Sequence, residues 1–221
     1  MSKIDNVEVF GLASSIYRSG YPMMDHAPTP KEFCEACASI TEEIEAHRQT
    51  GCAFENPHIK RAIKLAQAKG GGHDQFLTGI IVNFDLTYSN KAWVEAERYT
   101  FLNFISSMST MHRASVLPIK DSCNSYVLPE IAAMVQELQR AYNEIDGALY
   151  PEEKAQAYLR LLYNIPSGFE LMAGMTTNYR SLKNQFSQRE NHRLPDWRVV
   201  YCPWIKSLPL APQLITREVA A

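Results

Sequence analysis

Residues 178–184, Asn-Tyr-Arg-Ser-Leu-Lys-Asn, concentrate amide, guanidinium and hydroxyl groups where a predicted strand leads directly into a predicted helix. Free backbone N–H groups at the start of a helix attract anions, which makes such a corner a candidate ligand site. Arg180 and Asn184 are four residues apart and therefore share one face of the helix. The segment predicts a binding corner. A capped surface helix with solvated Arg and Asn side chains is the alternative.

Arg189 is a further candidate on the same helix. At ~100° per residue it lies about half a turn round from Arg180, so we expect it to face another wall of a pocket or a neighbouring subunit. It belongs to a basic cluster with His192, Arg193 and Arg198. This cluster either meets a phosphate group or pairs with nearby acids such as Glu190, and the sequence favours the pairing.

Two other segments carry side chains that can bind a ligand. Residues 72–76, Gly-His-Asp-Gln-Phe, form a turn between a helix that glycines end and a strand, and they make His73 a candidate. Residues 106–113 are rich in hydroxyls and end in a basic pair, which makes Ser107, Ser109, His112 and Arg113 candidates for phosphate binding. The alternatives are a solvated histidine in the first segment and a polar loop without a ligand in the second.

Composition excludes several classes of function. The 221 residues carry a formal net charge of −2, whereas proteins that bind bulk DNA or RNA are usually basic. No stretch of about 18 apolar residues predicts a membrane span, and the N-terminus does not resemble a signal peptide. We therefore expect a cytoplasmic protein, of a cell or of an infected host. The five cysteines are irregularly spaced, and the Cys34/Cys37 pair lies within a predicted helix without partners for zinc, so we expect reduced thiols and no metal site.

The elements that must position these candidates are mostly helices. Alternation predicts strands at 7–12, 77–87 and 169–178, with a largely polar second face on the middle one. Helical periodicity and capping signals predict helices at residues 31–48, from 57 to the glycines at 70–72, 90–105, 129–145, 152–163, from about 179, and 195–207. The tail from Leu208 is predicted to be extended. Because strands and helices do not alternate regularly, the fold class is predicted to be α+β, mostly helical with a small mixed or antiparallel sheet.

The pattern Asn-x-Arg-Ser-Leu-x-Asn, followed by Arg five residues later, resembles the C-terminal motif of the flavin-dependent thymidylate synthases, the ThyX family. The resemblance implies that Asn178, Arg180 and Asn184 contact FAD, and that Arg189 binds and polarises the pyrimidine of deoxyuridylate. The family also has a Gly-His-x-x-x-Phe segment whose His contacts flavin. Residues 72–76 resemble it, with Phe76 one residue early, and so imply that His73 is a companion of the corner.

One part of the family pattern is replaced in this chain. After a helix, the family has an Arg-His-Arg signature and a polar stretch that bind the nucleotide phosphate and the cofactor. Here apolar residues within 99–106 occupy the place of Arg-His-Arg. The pair His112-Arg113 substitutes either for the Arg-His part or for the final Arg of the polar stretch. Loss of two arginines is expected to weaken or relocate phosphate binding.

The resemblance implies one ThyX-like domain over residues 1–221 that forms a homotetramer with sites shared between subunits. It implies transfer of a one-carbon unit to a deoxyuridylate-type pyrimidine nucleotide, with FAD as cofactor and with NADPH and methylene-tetrahydrofolate as co-substrates. The missing signature favours a second hypothesis, a catalytically inactive relative that binds or sequesters a nucleotide-derived ligand. A structural oligomer without a ligand is the third hypothesis. The polar corner weighs against it, since polar groups that are buried without partners are costly.

Overall fold

The computed structural model describes residues 2–68 and 72–216. The chain forms two compact units, whose boundaries fall within its strands. The first unit contains residues 2–5 and 84–175, and the second contains residues 6–68, 72–83 and 176–216. Of the glycines predicted to end the helix that begins at residue 57, Gly70 and Gly71 lie outside the described residues, and Gly72 adopts a positive φ of 96°.

The strands form one four-stranded antiparallel sheet with the order β1-β2-β4-β3. The strands are β1 (Lys3–Phe10), β2 (Ile81–Ser89), β3 (Asn103–Ser107) and β4 (Glu170–Asn178). On β2 the predicted apolar face is buried through Val82, Phe84 and Leu86, while the polar face is half-buried. The predicted alternation on β2 is therefore confirmed, and so is the α+β class with a small antiparallel sheet.

The first unit is built around a helical hairpin. Its helices are α4 (Asn90–Ala96), α5 (Thr110–Arg113), α6 (Pro129–Glu144) and α7 (Pro151–Asn164). The helices predicted at 129–145 and 152–163 are confirmed as α6 and α7, which pack against each other. Val135 and Leu161 from the two helices share a core with Leu117, Ile119 and Phe169.

The second unit contains the remaining helices. They are α1 (Leu12–Arg18), α2 (Pro30–Thr50), α3 (Pro57–Gln67), α8 (Tyr179–Arg189) and α9 (Cys202–Ser207). Two predicted starts are confirmed by their caps: Thr29 forms a capping box with Glu32, and the Asn56 side chain accepts a hydrogen bond from the His58 N–H. None of the helices in the described part of the chain has the length and apolar character needed to cross a bilayer.

Three predictions about the elements were wrong. The helix predicted for 90–105 ends at Ala96, and strand β3 follows it. This strand forms because it pairs with β4, which is about 70 residues away in sequence, and local periodicity does not report so distant a partner. The strand predicted from residue 77 begins at Ile81, after a 3₁₀ turn at Gln75–Gly79. The tail is not extended throughout: Pro212–Thr216 is helical, because Leu214 and Ile215 are buried against the second unit's helices.

Leu161→Ala tests the core of the first unit. Leu161 is fully buried, so its truncation is expected to lower the free energy of unfolding by about 2–5 kcal/mol through lost burial and a residual cavity. Urea denaturation measures the change. Leu159 on the same helix is 44% exposed, and Leu159→Ala is expected to cost far less. Equal losses in the two variants would contradict the assignment of Leu161 to the core.

Candidate functional site

The corner between β4 and α8 is fixed by hydrogen bonds at its first residues. Asn178 is the N-cap of α8, and its side-chain oxygen accepts a hydrogen bond from the Ser181 N–H at 2.9 Å. Tyr179 is fully buried; its N–H donates to the Ile80 carbonyl at 3.0 Å and its hydroxyl donates to the Pro209 carbonyl at 2.8 Å. Burial raises the pKa of the Tyr179 hydroxyl, which keeps it a neutral donor. The helix predicted from about residue 179 begins at Tyr179, and this tyrosine anchors the helix start in the core.

The turn that carries His73 lies against this corner. Arg180 forms an ion pair with Asp74, with 3.2 Å between Nε and Oδ1, and donates a hydrogen bond through a terminal nitrogen to Gln75 Oε1 at 2.6 Å. Asp74 and Gln75 directly follow His73 in the chain. The structure therefore brings together the two segments that the sequence singled out separately within this unit.

Asp74 also binds a buried lysine. Lys183 Nζ lies 2.7 Å from Asp74 Oδ2 and donates a second hydrogen bond to the Ala66 carbonyl at 2.6 Å. Only 9% of the Lys183 side chain is exposed. One carboxylate thus bridges two cations on successive turns of α8, while the lysine also caps the last turn of α3.

This arrangement changes the acidity of Asp74. Partial burial by itself raises the pKa, but the hydrogen bond and charge of Lys183, together with the charge of Arg180, outweigh it and lower the pKa of Asp74 below its ordinary value. The carboxylate is therefore ionised near neutral pH and is a permanent part of the corner's electrostatics.

The remaining predicted cofactor-binding residues present unused polar groups. His73 and Asn184 are exposed, and neither side chain forms a hydrogen bond within residues 2–68 and 72–216. The Asn178 amide nitrogen has no partner there either, since its cap uses only the oxygen. Arg180 donates one of its five N–H groups to Gln75, and its Nε side faces Asp74 in the ion pair. The corner therefore offers N–H donors from three side chains, together with an imidazole, which suits a ligand with carbonyl oxygens or ring nitrogens.

Arg189 lies at the other end of α8. It is nine residues beyond Arg180, or about 13.5 Å along the helix axis at about 1.5 Å per residue. Its guanidinium stands over the ring of the fully buried Trp197, with 4.7 Å between Cζ and the ring centroid. The His192 ring contacts the same indole edge-on, with 6.3 Å between the two ring centroids. Arg189 is thus held by an aromatic platform, away from the Asp74 cluster.

The four predicted phosphate-binding residues belong to the first unit. Ser107 ends β3 and lines a cavity of about 190 Å³ together with Trp93 and Phe104. Ser109 precedes α5, and His112 and Arg113 are exposed in that helix's single turn. Arg113 forms no ion pair in the part of the chain that the structure describes, so its guanidinium retains all its donors.

Sequence reasoning missed the residues that join the turn to the corner. Asp74, Gln75 and Lys183 were visible only as neighbours of the candidates, and Asp74 and Lys183 are separated by 109 positions. The sequence feature that could have indicated this contact is the pair of cations, Arg180 and Lys183, three residues apart on α8, together with the acid Asp74 in the other candidate segment. Among the described residues, no group of three His, Cys, Asp or Glu side chains is placed to hold a metal ion.

Comparison with solved structures shows the fold. Thymidylate synthase X (ThyX) from Helicobacter pylori, solved with FAD and dUMP, is 15% identical and has a TM-score of 0.55, and the match covers 98% of this chain and 98% of that one. A second structure, flavin-dependent thymidylate synthase ThyX from Helicobacter pylori complexed with FAD and dUMP, is 14% identical with a TM-score of 0.58, covering 99% and 100%. No family model and no curated protein matches the chain. The chain is therefore similar in fold to ThyX over its whole length.

Lys183→Ala tests the bridge between turn and corner. Removing the ammonium leaves the Ala66 carbonyl without its donor and Asp74 with Arg180 alone, which is expected to cost about 1–3 kcal/mol of unfolding free energy at pH 7. A carboxylate whose pKa is lowered in the folded state contributes stability above its ordinary pKa of 3.8, and this is lost as pH falls through the lowered value. The difference between wild type and variant should therefore shrink below about pH 4, measured by urea denaturation from pH 7 to pH 3.

Lys60→Ala is the matched control, because Lys60 forms an exposed ion pair with Glu55. It is expected to change stability by less than about 0.5 kcal/mol. A loss in Lys183→Ala that is the same at pH 7 and pH 3 would show that the lysine does not stabilise the Asp74 carboxylate.

Proposed function

We propose that this chain binds a flavin, FAD, and a deoxyuridylate-type pyrimidine nucleotide, with the flavin at the corner between β4 and α8. The proposal is carried by the hydrogen bonds and ion pairs that Arg180 and Lys183 form with Asp74 and Gln75. These contacts hold the turn with His73 against the corner. The whole-chain similarity in fold to structures that were solved with FAD and dUMP supports it.

The chemistry of the available groups fits a flavin ring. An isoalloxazine presents carbonyl oxygens and ring nitrogens along one edge, and its other edge is apolar. In the proposed assignment His73, Asn178, Arg180 and Asn184 hold that polar edge through donors that the fold leaves unused. Arg189, fixed over Trp197, would bind and polarise a pyrimidine carbonyl. Ser107, Ser109, His112 and Arg113 are the proposed contacts for the rest of the nucleotide.

The finer proposal is that the protein transfers a one-carbon unit to the pyrimidine as one domain in a homotetramer. A bound flavin supplies hydride chemistry, with NADPH as reductant and methylene-tetrahydrofolate as the one-carbon donor. The chain's own part is to bind and orient: Arg180 and Asn184 position the ring, and Arg189 withdraws electron density from the pyrimidine. Transfer also requires a firm hold on the nucleotide phosphate.

A second candidate is favoured by strand β3. Its five residues are exposed, and none is basic; Phe104 and Ile105 are 45% and 61% exposed. A phosphate dianion is held best by bidentate guanidinium groups, which this strand does not provide. The alternative proposal is therefore a catalytically inactive protein that binds or sequesters a nucleotide-derived ligand.

The visible absorption spectrum of the purified protein separates these proposals. Flavin absorbance with FAD released on denaturation supports flavin binding, and turnover with dUMP, NADPH and methylene-tetrahydrofolate supports the enzyme. A copurified nucleotide without flavin supports the inactive binding protein. A colourless protein that takes up no FAD in titration would rule out the flavoprotein.

Arg180→Ala and Asn184→Ala test the corner residue by residue. Each is expected to weaken FAD binding by at least tenfold, because a charged or amide donor to the ring is worth on the order of 1.5 kcal/mol or more. Isothermal titration measures the affinity, and thermal melting should show little loss of stability for Asn184→Ala, whose side chain is exposed. Gln188→Ala, also exposed on α8, is the control. Unchanged FAD affinity in both test variants would remove the corner from the site.

A further inference from the structure

Asp74 neutralises part of the positive charge that the corner would otherwise present. Its two carboxylate oxygens are divided between Arg180 and Lys183, at 3.2 Å and 2.7 Å. The three side chains together carry two positive charges and one negative charge, and both cations are engaged. The net charge of the three is +1, but each cation is already paired with Asp74, so the corner has no unpaired cation to hold a phosphate dianion.

The ion pair also fixes which donors of Arg180 remain. Its Nε lies 3.2 Å from Asp74 Oδ1, and one terminal N–H donates to Gln75 Oε1. Binding a phosphate at the edge of the Arg180 guanidinium that faces Asp74 would require displacing an ionised carboxylate. A phosphate at the opposite edge would be repelled by that carboxylate across the guanidinium. A neutral carbonyl oxygen meets neither obstacle, since it needs one or two N–H donors and no net charge.

Lys183 cannot compensate for this. Its ammonium is buried and already donates to Asp74 and to the Ala66 carbonyl, so it is part of the protein's interior. The Asp74 carboxylate thus occupies the position beside Arg180 and Lys183 that the negative group of an anionic ligand would take.

We propose that Asp74 determines the charge of the ligand group that the corner accepts: by holding Arg180 in an ion pair, it makes the corner select the uncharged ring of a flavin or nucleotide and reject the phosphate. This inference rests on the proposed function, because it specifies which part of the ligand the corner binds. Asp74 is a specificity-determining residue, and it needs no contact with the ligand.

Riboflavin and FMN provide the test, since they share one ring system and differ by one phosphate group. Wild type is expected to bind the two with affinities within about threefold. In Asp74→Asn the side-chain oxygen can still accept a hydrogen bond, but the negative charge is gone. The ratio of FMN to riboflavin affinity is expected to rise about tenfold, which corresponds to about 1.4 kcal/mol, as measured by isothermal titration at low ionic strength.

Asp25→Asn is the matched control, because it makes the same change in net charge at an exposed residue that forms no hydrogen bond or ion pair within the described residues. Its affinity ratio should equal that of wild type. A purely structural role of Asp74 would weaken both ligands in parallel and leave the ratio unchanged. That result would overturn the proposal, as would a wild type that prefers FMN by more than about tenfold.

Two further measurements keep the test decisive. Asp74→Asn leaves Lys183 as an uncompensated buried charge, so Asp74→Asn/Lys183→Met removes both charges of this ion pair and frees Arg180 in a variant expected to fold. Pyrophosphate is a probe that does not depend on flavin binding. It should raise the melting temperature of either Asp74→Asn variant more than that of wild type or Asp25→Asn, and equal shifts would overturn the proposal. Failure of every variant to bind riboflavin, FMN and FAD would refute the proposed function, while the pyrophosphate result would still decide the role of Asp74.

Discussion

The ion pair between Asp74 and Lys183 is the contact on which the candidate site depends. It joins three separate segments: the turn after α3, the first turns of α8 and, through the Ala66 carbonyl, the end of α3 itself. Without it the turn carrying His73 would be held against the corner mainly by Arg180, whose side chain is 36% exposed. A buried cation with a partly shielded carboxylate also resists screening by salt far better than a surface pair does. The geometry of the corner is thus set by an interaction within the protein, before any ligand binds.

Much of the second unit could be predicted because its signals are local. Thr29 before Pro30, Asn56 before Pro57 and Asn178 before the α8 periodicity are caps that act within four residues, and the structure forms all three. The Asp74–Lys183 pair could not be predicted in this way. Its partners are 109 residues apart, and nothing in the local sequence of either residue specifies the other.

Strand β3 was not predicted for a related reason: its own residues carry no clear local signal, and its pairing partner is distant in the sequence. Residues 103–107 carry a mixture of polar and apolar side chains that follows no burial period, since all five are exposed at the edge of the sheet. The helical periodicity of the preceding residues therefore predicted a helix that continued into this strand. Pairing with β4 overrides that local signal, because backbone hydrogen bonding is indifferent to which face the side chains occupy. The resemblance singled out the corner by residue type, but the structure was needed to show that residues 103–107 form an edge strand.

Strand β4 ends at Asn178 and helix α8 begins at Tyr179, so no linker residue separates them. Inserting or deleting one residue after Asn178 would turn every later side chain of α8 by about 100° relative to the strand. Tyr179, buried at the start, and the cations directed at Asp74 would then be out of phase with their partners. The turn at 146–150 between α6 and α7 is under no such constraint, because its residues are largely exposed. Among relatives of this chain, changes in length should therefore be tolerated in that turn, while the junction of β4 and α8 keeps a fixed number of residues.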